Sequence, residues 1–94
     1  MNHLENIRLA IERAAECPAE HRGTVSVVET FKGETLWQGT VEVYRLASPP
    51  PEMAYGWAVD DGTGKAEYVA VLGNPPIDSP MVAVRAWLTS LFKP

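Results

Sequence analysis

The chain has 94 residues, enough for one domain (1–94) and too few for two. Its apolar share of 46% and charged share of 21% are those of a folded globular protein, which excludes a disordered composition. The formal net charge is −4, and the eight basic residues are spread so that no two are adjacent. Double-stranded nucleic acid is therefore not an expected partner, because that binding depends on clustered Lys and Arg.

Cys17 is the only cysteine, so no internal disulfide can form. No signal peptide and no long apolar run is evident, so the sequence reads as cytoplasmic, with no membrane partner expected.

The elements follow in chain order. "NHLENIRLAIERAAE" (2–16) has Leu4, Ile7, Ile11 and Ala14 on one helical face. Asn2 with Glu5 forms a capping arrangement, Arg8 and Glu12 are spaced to pair, and Pro18 stops the helix. Residues 17–23 read as a charged, exposed loop. "TVSVVETF" (24–31) alternates with β-branched residues and predicts a strand. "KGE" (32–34) is a turn, and "TLWQGTVEVYRLA" (35–47) a longer strand with Gly39 as its expected bulge or twist point. "SPPPE" (48–52) is a stiff connection, and "MAYGWAV" (53–59) and "AEYVAVL" (66–72) are the third and fourth strands. "GNPPID" (73–78) is a loop. A final helix starts at Pro80 with Ser79 as its cap, and carries Met81, Val84, Leu88 and Leu91 in a stripe flanked by Trp87 and Phe92.

The order is α-β-β-β-β-α, an α+β domain. Short connections predict an antiparallel four-stranded meander, and the simplest packing lays both helices across one face. In outline this resembles the double-stranded-RNA-binding domain. Such domains have three strands and a lysine-rich start to the last helix. Here that helix opens "SPMVAVRAWL" with only Arg85, so the resemblance covers topology and implies no RNA binding.

Candidate chemistry is sparse. "DDGTGK" (60–65) looks like a phosphate or metal loop, yet a phosphate loop would need glycine where Val59 stands and a hydroxyl where Ala66 stands. Adjacent Asp60 and Asp61 also lack calcium-loop spacing. The stretch reads as a hairpin turn. Cys17 and His21 are spaced C-x3-H, but a zinc site needs more ligands, and no serine lies in a nucleophile elbow. The sequence therefore selects no catalytic residue, metal or cofactor.

The sheet aromatics say more. Tyr55 and Trp57 share one face of the third strand, while Ala54, Gly56 and Ala58 share the other. The third and fourth strands are apolar on both faces. With both helices on one side, the other face should show an aromatic patch: Tyr55 and Trp57, or Tyr44 and Tyr68. These four form the candidate interaction surface. The leading expectation is a protein–protein interaction module, a homodimer or an accessory subunit, that buries the open sheet face or pairs an edge strand against its partner. The alternatives are single-stranded nucleic-acid binding by those aromatics, or a small-molecule binder or enzyme with a pocket between helix and sheet.

Overall fold

A computed structural model describes residues 3–60 and 62–91. Asn2, Asp61 and Phe92, which entered the cap, turn and stripe expectations, lie outside the described residues. The elements are α1 (His3–Ala15), β1 (Ala19–Phe31), β2 (Glu34–Leu46), β3 (Met53–Asp60), β4 (Ala66–Leu72) and α2 (Pro80–Leu91). The strands form one antiparallel sheet in the order β1-β2-β3-β4, so the meander is present and β1 and β4 are its edges.

The two helices do not share a face. Ile7 and Ile11 of α1 pack with Tyr44, Leu46 and Ala54. Ala83, Val84 and Leu88 of α2 pack with Val27, Val41, Tyr55 and Trp57. Ala54 and Tyr55 are neighbours on one strand and point to opposite sides, so the helices cover opposite faces. This corrects the one-sided packing, and the cause is legible in β3. A strand that is apolar on both faces must be covered on both, and with two helices each face receives one.

The faces differ in relief. The α1 face of β3 is a row of small residues, Ala54, Gly56 and Ala58. A Cβ on Gly56 would stand 2.5 Å from Ile7 Cγ2 and 3.0 Å from Ile11 Cδ1, so the absence of a side chain lets α1 settle against the strand. The α2 face carries large residues. Trp57 is fully buried there, with Trp37 and Trp87 at centroid distances of 5.9 and 5.5 Å. Among the described residues its indole N–H has no hydrogen-bond partner, and the Trp87 ring stands near-perpendicular to it, at 75°.

β1 begins at Ala19, so residues 19–23 are strand rather than loop. Their charges give this stretch the composition of a loop. An edge strand with a wet face accommodates Glu20, His21 and Arg22, and Arg22 is the extra residue where the register shifts between His21 and Gly23. The Ala19 amide donates to Glu12 Oε2 at 2.8 Å, tying the start of the strand to α1. A second shift falls between Glu29 and Thr30, while Gly39 pairs with Val27 in regular register. Gly39 is therefore not the bulge. Its role is to admit the Trp37 ring, which would lie 2.9 Å from a Cβ there.

The connections have simple local causes. Lys32 and Gly33 both have positive φ (52° and 82°), forming the two-residue turn suited to a twisted hairpin. β3 and β4 pair as a hairpin, as expected: the Gly62 amide donates to Asp60 Oδ1 at 2.8 Å, and Gly62 and Gly64 have positive φ. Ser79 caps α2, its Oγ accepting from the Val82 amide at 3.3 Å.

β2 pairs with β3 only from Glu42 to Arg45, whereas β1 and β2 pair along their whole length. The β1–β2 hairpin therefore extends as an arm beyond the four-stranded part.

Candidate functional site

The four candidate aromatics are not brought together. Tyr55 and Trp57 lie under α2 at 4% and 0% exposure, and Tyr44 lies under α1 at 0%. Tyr68, half-buried, also lies on the α1 face. The expected aromatic patch is therefore interior, because each helix covers one of the two rows considered.

These tyrosines serve as ties. The Tyr44 hydroxyl donates to the Leu4 carbonyl at 3.1 Å, and burial, with Glu42 adding, pushes its pKa up to about 12. The Tyr68 hydroxyl accepts from Asn6 Nδ2 at 3.0 Å and lies 2.8 Å from His3 Nδ1. Both hold α1 to the sheet. Burial raises the Tyr55 pKa, with Asp78 contributing.

The Cys17–His21 pair gains no metal geometry. Cys17 packs at the margin of the α1 core, and His21 Nε2 contacts Glu42 Oε1 at 2.8 Å while its ring meets the edge of Tyr44. Thr24 Oγ1 donates to the same carboxylate oxygen at 2.5 Å. Among the described residues, no group of three His, Cys, Asp or Glu side chains is placed to hold a metal ion. Among the described residues, open grooves lie by the loops, one lined by Pro18, Arg45 and Pro49, another by Met53, Tyr55 and Ile77.

Among the described residues, one surface that remains is the free side of β1. This edge strand is 13 residues long, against seven for β4 at the opposite edge. Val25, Val28 and Phe31 are 41%, 46% and 60% exposed. Val25 pairs with Val41 on the α2 face, and Val28 pairs with Gln38 on the α1 face. On that α1 face the arm is uncovered, with Ser26, Gln38 and Thr40 exposed. From Gly23 to Phe31 the one charged residue is Glu29, and Arg85 Nε of α2 donates to its Oε2 at 2.8 Å. The common protections of a free edge, a lysine or a proline, are absent from this run.

Sequence reasoning named an edge strand as one option but did not select these residues. The available signal was the strand order: the first strand of a meander lies at an edge, so its valines cannot all be core.

No helix among the described residues is long and apolar enough to cross a membrane. Comparison with protein-family models, with curated proteins and with solved structures finds no match.

Proposed function

We propose that this chain is a protein–protein interaction module that engages its partner by strand pairing along the free edge of β1. The observation that carries the reading is that edge: a long strand with Val25, Val28 and Phe31 exposed and a single charge between Gly23 and Phe31. Its outward backbone groups offer directional hydrogen bonds, and its exposed valines offer apolar contact on both sides of the added strand. Base stacking on the sheet loses its platform, since Tyr44, Tyr55 and Trp57 are covered.

The test is site-specific photocrosslinking in cells. A photoreactive residue at position 25 should yield a discrete adduct, and one at Leu9, exposed on α1 at 45%, should not. Equal adducts from both positions, or none from position 25, would reject the reading.

A further inference from the structure

We propose that the partner on this edge is a second copy of the chain, joined β1 to β1 in antiparallel fashion across a two-fold axis, which makes one continuous eight-stranded sheet from two four-stranded ones. This rests on the reading of β1 as the pairing strand. Such a contact is isologous: the same patch is used by both copies and the assembly closes at two.

The residues fit this arrangement. In an antiparallel pair facing side chains lie on the same side of the sheet, so partners across the axis differ by an even number of positions beyond the Arg22 bulge. With Ser26 on the axis, Val25 faces Val27 of the second copy, Thr24 faces Val28, and Gly23 faces Glu29. No like charges oppose one another, and the exposed valines gain apolar or β-branched neighbours. The same axis keeps both α2 helices on one side. The Arg85–Glu29 bond places that flank of α2 over β1, and Met81, one turn earlier and 40% exposed, lies along it. A second copy thus covers Val25 and the Met81 flank together.

Charge does not oppose this edge. Two copies at −4 repel, so they meet most readily where charge is least. The one acid between Gly23 and Phe31 is already held by Arg85, so the pairing brings no uncompensated charges together along this run. A strand edge with one helix flank lies at the lower end of stable interface sizes, so the dimer should dissociate on dilution.

The experiment is sedimentation velocity on the purified chain over a wide concentration range, with three variants. Wild type should move from the mass of one chain to that of two. Val25→Lys and Val28→Lys, which alter exposed side chains on opposite sides of the strand, should each stay monomeric with an unchanged circular dichroism spectrum. Leu9→Lys should dimerise like wild type. A wild type that is monomeric throughout, or a dimer that neither valine variant weakens, overturns the proposal. If the chain is monomeric yet position 25 crosslinks to a different protein, self-pairing fails while strand pairing stands. If neither occurs, both fail.

Discussion

Gly56 sets the distance between α1 and the sheet. In Gly56→Ala the new methyl would meet Ile7 Cγ2 at 2.5 Å, Ile11 Cδ1 at 3.0 Å and the Val69 carbonyl at 3.2 Å. Overpacking of this kind costs about 1–3 kcal/mol, read by urea denaturation. Combining it with Ile7→Ala should cost less than the sum of the two single changes, because the clashing methyl is then gone. Additive costs would mean that the helix sits elsewhere. Tyr44 makes a second residue-scale prediction. Its pKa in the folded chain is about 12 against an ordinary 10.0, so the folded state retains a proton that the unfolded state loses. This contribution is fully present below pH 10 and is lost as pH rises from 10 through 12. Tyr44→Phe removes the bond to the Leu4 carbonyl, costs about 1 kcal/mol near neutral pH, and should flatten the alkaline slope. An unchanged slope in the variant would assign that titration to another group.

Element type was largely readable from the sequence, because each element carries its own period. Ile7 and Ile11 mark α1, Val84 and Leu88 mark α2, and alternation marks the strands. Two things were not. Residues 19–23 resemble loop because an edge strand with a wet face bears charge, and strand status there comes from pairing with β2, a non-local cause. The faces chosen by the helices were also undecided, since a two-sided apolar strand is compatible with a helix, a loop or a partner on either side. The candidate site suffered most from this. Its aromatics were found correctly as apolar faces, but burial depends on what packs above them. The α2 cap is testable on the same scale. Ser79→Ala should cost about 0.5–2 kcal/mol, with the tryptophan near-ultraviolet dichroism lost in the same transition, since Trp87 rides on α2 beside Trp57. A tryptophan signal that outlasts helix unfolding would detach the cluster from α2.

At the scale of the molecule, a central pair of strands is enclosed by one helix on each face, and a two-stranded arm ends in an edge without lysine or proline between Gly23 and Phe31. Stability is concentrated around β3, while the arm offers its outer backbone to another strand. Two copies at −4 repel on approach, so added salt should tighten self-association by screening that repulsion. Weakening with salt would point instead to an interface held by ion pairs. The most direct measurement is residue-resolved amide exchange along β1 at high and low protein concentration. Those amides between Gly23 and Phe31 that do not bond to β2 should be protected at high concentration and exposed on dilution, with β4 unchanged. Outward amides of β1 that exchange freely at every concentration, or concentration-dependent protection of β4 instead, would contradict the account.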